Sequence, residues 1–247
     1  MRLRNIPRAE GVLKECSQVI ETPEEFRDHW ASDVFQNDYP VHIEIGMGKG
    51  RFLMALAQKN PQINYIGIER YTSVLLRAVE KLNIYIEENE STLPNIRFIC
   101  MDAQDIANVF AENEVDRIYL NFSDPWPKAR HARRRLTSPD FFARYDKVLV
   151  QDGQVEFKTD NRDLFDFSVE SLGESETWGI SECTYDLHHD EIMNVGNIMK
   201  RNFHPWITRF ASSLLKEDVC CDFLSATAHI LLMRKPSESV RHEPKLS

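Results

Sequence analysis

The stretch 121–135, NFSDPWPKARHARRR, joins a carboxylate and an aromatic ring to a dense run of positive charge. Asp124 can accept hydrogen bonds from a planar polar ring, and Trp126 can stack on that ring. Basic side chains that could meet phosphates on either side follow at Lys128, Arg130, Arg133, Arg134 and Arg135. Together these residue types predict a site for a base within a nucleic acid. A solvated loop with a basic face is the alternative, since that is the usual meaning of a charge run.

A glycine turn, EIGMGKG at 44–50, follows an apolar run and precedes a helix-length segment. Gly46, Gly48 and Gly50 can adopt positive φ and let the backbone approach a ligand closely. A dinucleotide fingerprint would need a further glycine at position 51, where the chain has arginine, so a pyrophosphate is disfavoured. The G-x-G-x-G form fits a nucleoside cofactor without phosphate, such as S-adenosylmethionine, with Glu44 near its cationic end. The alternative is a turn that serves only strand-to-helix packing.

Acidic residues end the next two apolar runs. Glu69 lies 23 residues after Gly46, where an acid can bind the two ribose hydroxyls of a nucleoside. Asp102 follows the third run beside Ala103, where it could accept a hydrogen bond from an adenine amino group. A single acid in such a place is more often a helix cap. Three acids at the ends of three successive strands, with the glycine turn, predict a nucleoside-binding cleft.

Strand-length and helix-length patterns alternate through the middle of the chain. Strands are predicted at 41–46, 63–69, 96–101, 117–122 and 154–159. Helices are predicted near 51–59, 72–89, 103–112, 139–149 and 162–173. This order predicts an α/β fold with a doubly wound, mostly parallel sheet.

Three segments are expected along the chain. Residues 1–40 form a short N-terminal extension with a basic start and a helix around 23–31, and residues 41–199 form the main domain. Residues 200–247 form an atypical tail, with eight Lys and Arg against five Asp and Glu, although the whole chain carries a net charge of −9. Within this tail, HILLMR is predicted to supply an edge strand.

Composition narrows the possible partners. The net charge of −9 excludes sequence-blind coating of nucleic acid, so contact must come from a local basic surface. Five cysteines without a C-x-x-C pair fit neither a disulfide framework nor a zinc ribbon. Adjacent His188 and His189 are assigned solvated or packing roles, and no metal is predicted. No stretch approaches the ~18 apolar residues of a membrane span, so a cytoplasmic location without a membrane partner is expected.

These motifs resemble those of the bacterial tRNA (guanine-N7-)-methyltransferases, which use S-adenosylmethionine on a class I methyltransferase (Rossmann-like) fold. The likeness covers about residues 1–199 and runs through EIGMGKG, NYIGIE, MDA, YLNFSDPWPKARHARRRL, FKTDN and GNIM. The block that begins at Ser123 is the specific one, because the glycine turn is shared by many methyltransferases. The resemblance implies methylation of a guanosine in the variable loop of tRNA, by a monomer or a homodimer.

The resemblance also implies roles for individual residues. Cofactor binding is implied for Glu44, Glu69, Asp102 and Asp124, and Asp124 is also the implied catalytic residue. Lys128 and Asp160 are the implied contacts to the guanine. RNA contact is implied for Arg130, His131, Ala132, Arg133, Arg134 and Arg135.

The chemistry of the implied reaction follows from the substrate atom itself. Guanine N7 has a lone pair and no proton, so the reaction needs alignment rather than a general base. The ring becomes cationic as the methyl group arrives, and a carboxylate such as that of Asp124 would stabilise the transition state more than the ground state. Asp160 could accept hydrogen bonds from guanine N1 and N2, which adenine cannot offer in that arrangement.

The tail departs from the family pattern. In the family, GNIM is followed by a Thr-x-Tyr-Glu segment that holds substrate, and this chain lacks it. We hypothesise a shifted reading frame after residue 199, since composition and charge change at one point; an intact frame on resequencing across codons 195–205 would discard the idea. Two alternatives remain open: an exocyclic-amino methyltransferase of nucleic acid, because SDPW is similar to that group's loop, and a non-catalytic RNA-binding protein.

Overall fold

The computed structural model of the chain describes residues 6–89, 92–185 and 229–234. The strands are β1 (Val19–Ile20), β2 (Val41–Ile45), β3 (Asn64–Glu69), β4 (Ile96–Cys100), β5 (Val115–Asn121), β6 (Leu149–Thr159), β7 (Gly179–Thr184) and β8 (His229–Arg234). The α-helices are α1 (Ala9–Glu15), α2 (Arg51–Lys59), α3 (Thr72–Asn89), α4 (Ile106–Val109), α5 (Pro139–Tyr145) and α6 (Arg162–Gly173). Short 3-10 helices span Pro23–Phe26, Ala103–Asp105 and Ala129–Arg134, and a π-helix spans Trp30–Val34.

One sheet contains all eight of these strands, in the order β1-β4-β3-β2-β5-β6-β8-β7. Strands β1 to β6 pair in parallel, and β8 pairs antiparallel with β6 and with β7. The mostly parallel α/β sheet predicted from the sequence is confirmed. The chain moves outward from β2 through β3 to β4, and then returns to build β5 and β6 on the other side. The carboxyl ends of β2 and β5 therefore border the switch-point crevice where open α/β sheets bind their ligands.

Apolar side chains cover both faces of the sheet, as a doubly wound fold requires. One cluster packs α1, α2 and α3 on the sheet through residues such as Leu13, Leu53 and Leu75. The other packs α4, α5 and α6 on the opposite face and includes Ile106 and Phe165. Strand β3 is buried at all six positions, because helices cover it on both sides and strands flank it on both edges.

Several predicted helices are shorter than the sequence suggests. The helix predicted around 23–31 is wrong: a 3-10 helix and a π-helix lie there, separated by Asp28 at φ 75°. Glu114 holds this break by accepting hydrogen bonds from the backbone N–H groups of Asp28 and Trp30. The segment predicted at 103–112 is a 3-10 turn followed by the four-residue α4, which stops because Phe110 is extended.

The sheet also extends beyond the five predicted strands. The tail segment HILLMR forms β8, but the predicted edge position is wrong, because β6 and β7 flank it on both sides. Strand β7 gave no signal in the sequence, since five of its six residues are exposed and no apolar alternation marks it. The rest of the tail, the GNIM segment and His188 and His189 lie outside the described residues.

Candidate active site

The glycine turn after β2 has the backbone conformation predicted for it. Gly46, Gly48 and Gly50 have φ values of 72°, 57° and 70°, a region that side chains disfavour. The backbone N–H groups of Gly46 and Met47 both donate to the carbonyl of Ile68 in β3, at 2.9 and 3.1 Å. A Cβ added at Gly46 or Gly48 would meet nothing within 4 Å, so one side of the turn faces open space. The turn is thus fixed against β3 and leaves room for a ligand.

Glu69 connects the end of β3 to that turn. Its Oε2 accepts a hydrogen bond from the backbone N–H of Gly48 at 3.1 Å, and its Oε1 accepts one from Tyr71 at 3.1 Å. Burial raises the pKa of this carboxyl, while those hydrogen bonds act in the opposite direction. Each oxygen keeps a second lone pair, which is the acceptor capacity that two adjacent ribose hydroxyls would need.

Glu44 is the most deeply buried acid of the site, at 2% exposure. Its Oε1 accepts a hydrogen bond from Asn121 Nδ2 at 2.9 Å, whereas Oε2 is buried and makes no hydrogen bond of standard geometry within the described residues. Burial raises the pKa of Glu44 to about 8, although Asn121, Lys158 and the backbone of Leu53 lower it. An unpaired buried carboxylate oxygen is costly unless a ligand completes it. This site fits the cationic methionine end of S-adenosylmethionine.

The partners of Glu44 are residues that sequence reasoning missed. Lys158 is 3% exposed, its Nζ lies 2.5 Å from Glu156 Oε1, and its charge acts on Glu44. Asn121 ends β5, and Glu156 and Lys158 alternate along β6. Glu156 and Lys158 are two apart and so share one face of the sheet, but β6 contains other polar residues as well, so this spacing was only a weak signal.

Asp102 occupies the end of β4 and acts as a cap. Its Oδ1 accepts a hydrogen bond from the backbone N–H of Gln104 at 3.0 Å, and its Oδ2 lies 3.5 Å from Arg70 Nε. The sequence left capping and ligand binding open for Asp102, and the contact that the structure shows is the cap. A contact between Asp102 and adenine stays a prediction.

Asp124 lies in the loop after β5 and is exposed, unlike Glu44 and Glu69. The loop begins with a hydrogen bond from Phe122 N to the carbonyl of Lys158 at 2.8 Å. The charge of Asp124 raises the pKa of Glu69, and the charge of Glu69 in turn raises that of Glu44. The structure thus brings these three acids together from β2, β3 and the loop after β5.

The two predicted guanine contacts border this site. Lys128 precedes the 3-10 helix Ala129–Arg134, and Asp160 follows β6. Both side chains are exposed. Their roles stay predictions, because each is placed here by its element rather than by a contact.

The basic run forms that 3-10 helix and contacts the loop that carries Asp124. The Arg133 side chain is 90% exposed and its Nε lies 3.8 Å from Asp140 Oδ2. Arg134 stands over the Trp126 ring at 5.0 Å, and His131 meets that ring edge-on at 5.7 Å. Arg130 is exposed, while His131 and Ala132 are half-buried. Arg135 is the exception, because its guanidinium turns inward and donates to backbone carbonyls.

Neither a metal-binding cluster nor a membrane-spanning helix is present among the described residues. No group of three or more His, Cys, Asp or Glu residues in the described part of the chain could hold a metal ion. None of the helices in residues 6–89, 92–185 and 229–234 is both long and apolar enough to cross a membrane.

The parallel sheet, the glycine turn at the switch point and the acids at the strand ends define a Rossmann-like methyltransferase of the class I type. A structure of a 16S rRNA (adenine(1408)-N(1))-methyltransferase from Catenulisporales acidiphilia shares this fold, with a TM-score of 0.55 at 10% identity over 85% of this chain and 91% of that one. A family model described as a putative methyltransferase matches residues 38–204.

Curated relatives match far more closely in sequence. The tRNA (guanine-N(7)-)-methyltransferase of Lachnoclostridium phytofermentans is 55% identical over 81% of this chain and 89% of its own length. That of Bacillus cytotoxicus is 49% identical over 81% and 88%. This chain belongs to the tRNA (guanine-N7-)-methyltransferase family.

Proposed function

We propose that this protein transfers a methyl group from S-adenosylmethionine to N7 of a guanosine in tRNA. The observation that carries the proposal is the convergence of Glu44, Glu69 and Asp124 beside an open glycine turn and an exposed arginine run. The curated relatives carry the name of this activity. The proposal also names the variable loop of tRNA as the target, the cytoplasm as the location and a monomer or homodimer as the assembly.

The cofactor would lie across the carboxyl ends of β2, β3 and β4. Glu44 would receive the α-ammonium group, because its Oε2 is buried without a standard hydrogen bond. Glu69 would accept from the ribose hydroxyls, and Asp102 would lie near the adenine. The open space over Gly46 and Gly48 would admit the ligand. The bound cofactor supplies the electrophilic methyl group.

The protein's own residues would then align the guanine with the methyl group and stabilise the transition state. The N7 lone pair is already free, so the site must hold the guanine in line with the methyl group rather than remove a proton. Asp124 is exposed in the loop after β5, where its charge would stabilise the ring as it becomes cationic. Asp160 would accept hydrogen bonds from guanine N1 and N2, and Lys128 would hold the base at its other side.

The basic helix would hold the RNA around that base. Its exposed arginines, Arg130, Arg133 and Arg134, can pair with phosphates, which a body of net charge −9 would otherwise repel. Trp126, which Arg134 and His131 contact, is the aromatic ring that would stack on the base. Stacking and phosphate contacts of this kind can offset the few kcal/mol that unstacking a base costs.

The direct test is product identification. Purified full-length protein is incubated with labelled S-adenosylmethionine and an unmodified tRNA transcript, and the RNA is digested and analysed by mass spectrometry. N7-methylguanosine at a variable-loop position is the expected product. A methyl group on an exocyclic amine would favour the exocyclic-amino alternative, and tRNA binding without transfer would favour the non-catalytic one. A transcript with 7-deazaguanosine, which lacks the nucleophile, is the control.

A further inference from the structure

Arg135 ends the basic run but does not resemble the arginines before it. Its side chain is half-buried, whereas Arg133 and Arg134 are exposed. We propose that Arg135 is a positioning residue that holds the loop carrying Asp124, rather than a contact to an RNA phosphate. This inference rests on the proposed function, because it gives Arg135 a role in the same reaction.

The guanidinium of Arg135 holds two successive peptide carbonyls. Nε donates to the carbonyl of Pro125 at 3.1 Å, and Nη2 donates to that of Trp126 at 3.2 Å. Its Cζ lies 4.2 Å from the centroid of the Phe167 ring on α6. A planar fork that also stacks on a ring is a property of arginine, and an ammonium group cannot reproduce it.

The loop needs such support because its backbone is strained. Phe122 and Trp126, on either side of Asp124, have φ values of 52° and 43°. Bulky residues in this left-handed region are strained and persist only where the surroundings impose them. Strand β6 holds the start of the loop through the hydrogen bond from Phe122 to Lys158. Arg135 holds the other end, and Asp124 lies between the two anchors.

Both carbonyls bound by Arg135 belong to the two residues directly after Asp124. Their displacement would move the carboxylate that faces the reacting ring, without removing any group that touches RNA. Alignment dominates a transfer that needs no general base, and misplacement by about 1 Å can cost on the order of 100-fold in rate. Loss of Arg135 should therefore lower kcat more than it raises KM for tRNA.

The experiment replaces Arg135 by lysine, which keeps the charge and removes the fork. Arg135→Lys is expected to lower single-turnover methyl transfer at saturating tRNA by about 10- to 100-fold. In Arg135→Ala, which removes the charge, the slope of log Kd for tRNA against log salt should still stay at the wild-type value, because Arg135 pairs with no phosphate. Phe167→Leu changes no charge but removes the ring beneath Arg135. It should therefore reproduce the fall in rate.

Arg97→Lys is the matched control. Arg97 is also half-buried, donates to the backbone carbonyls of Pro94, Ile96 and Val34, and stands over the Phe35 ring at 5.0 Å. It lies at the amino end of β4, so its replacement should leave the transfer rate at the wild-type value. Arg133→Ala is the comparison for an arginine that pairs with a phosphate, and should reduce the magnitude of the salt slope by about 0.7–0.9.

A second readout keeps this proposal separate from the proposed function. With fluorotryptophan incorporated and the Trp126 resonance assigned from Trp126→Phe, Arg135→Lys should shift that ¹⁹F signal, and Arg97→Lys should not. The ¹⁹F shift is expected even if the wild-type protein methylates no tRNA. Such a lack of activity would contradict the proposed function but not the positioning role of Arg135. An unshifted resonance, or a wild-type rate in both Arg135→Lys and Phe167→Leu, would overturn the positioning role.

Discussion

The two halves of the candidate site are built in different ways. The proposed cofactor half consists of buried acids, Glu44 and Glu69, fixed by hydrogen bonds to a neighbouring strand and to the glycine turn. The proposed substrate half consists of Asp124, Lys128 and the arginines, most of them exposed, on a loop and a 3-10 helix. Burial prepares the first half for a cationic ligand of fixed shape. Exposure leaves the second half open to a large polyanion that arrives from solvent.

The largest effect is expected where the two halves meet. Asp124→Ala should lower the single-turnover rate of methyl transfer by about 10²- to 10³-fold, because it removes the charge that we propose stabilises the cationic ring in the transition state. Thermal unfolding should change little, since the side chain is exposed. Asp163→Asn, at an exposed carboxylate on α6, is the control. A wild-type rate in Asp124→Ala would remove Asp124 from the mechanism.

The second prediction concerns the pH dependence of stability that follows from the burial of Glu44. Burial raises the pKa of Glu44 to about 8, above the ~4.5 of an unfolded chain, so the native protein without cofactor keeps a proton that the unfolded chain has released. Its free energy of unfolding should therefore fall with rising pH between these values, by about 1.4 kcal/mol per unit. Glu44→Gln should remove this fall. Denaturant titrations between pH 6.5 and 8 measure it.

The comparison of the two proteins also removes the contribution of another buried group from the measurement. Burial, with the charge of Arg117, lowers the pKa of His42 to about 3, which makes stability rise with pH between about 3 and 6.5. At pH 6.5 an unfolded histidine is still about half protonated, so this contribution fades only at higher pH, and it cancels in the comparison because both proteins retain His42. Equal pH slopes in the wild type and Glu44→Gln would show that Glu44 is ionised in the folded protein.

A smaller effect is expected from the glycine turn. Gly48→Ala places a Cβ in the open space over the turn and retains a φ of 57°, so it should cost about 1–2 kcal/mol of stability and weaken S-adenosylhomocysteine binding as well. Gly173→Ala is the matched control, because its Cβ also meets nothing but its φ is not positive. Isothermal titration and thermal unfolding measure the two effects. Unchanged S-adenosylhomocysteine affinity in Gly48→Ala would mean that the cofactor does not bind at this turn.

The smallest effect concerns the exposed half. Replacing Arg133 and Arg134 by alanine should reduce the magnitude of the salt slope of tRNA binding by about 0.7–0.9 for each arginine that pairs with a phosphate. Affinity for S-adenosylhomocysteine should stay at the wild-type value, because neither side chain reaches the buried acids. An unaltered salt slope would mean that the RNA lies elsewhere, and the comparison between the two halves would fail.

The sequence by itself determined the parallel sheet, the conformation of the glycine turn and the acids at the strand ends. Each follows from a local rule: alternation of apolar runs, the need for positive φ at Gly46, Gly48 and Gly50, and the meeting of parallel strand ends at one edge. The tertiary structure alone decided which charges are buried or paired. Asn121 reaches Glu44 across 77 positions, and Arg135 stacks on the ring of Phe167 in α6.

Strand β8, from the tail, also shows what the sequence alone could not predict. HILLMR has the composition of a strand, but its place inside the sheet depends on β7, which carries no apolar alternation of its own. A local pattern reports only neighbours two to four residues away along one element. The partners of Lys158 and Arg135 and the position of β8 depend on how separate elements pack, and no spacing within a single segment contains that information.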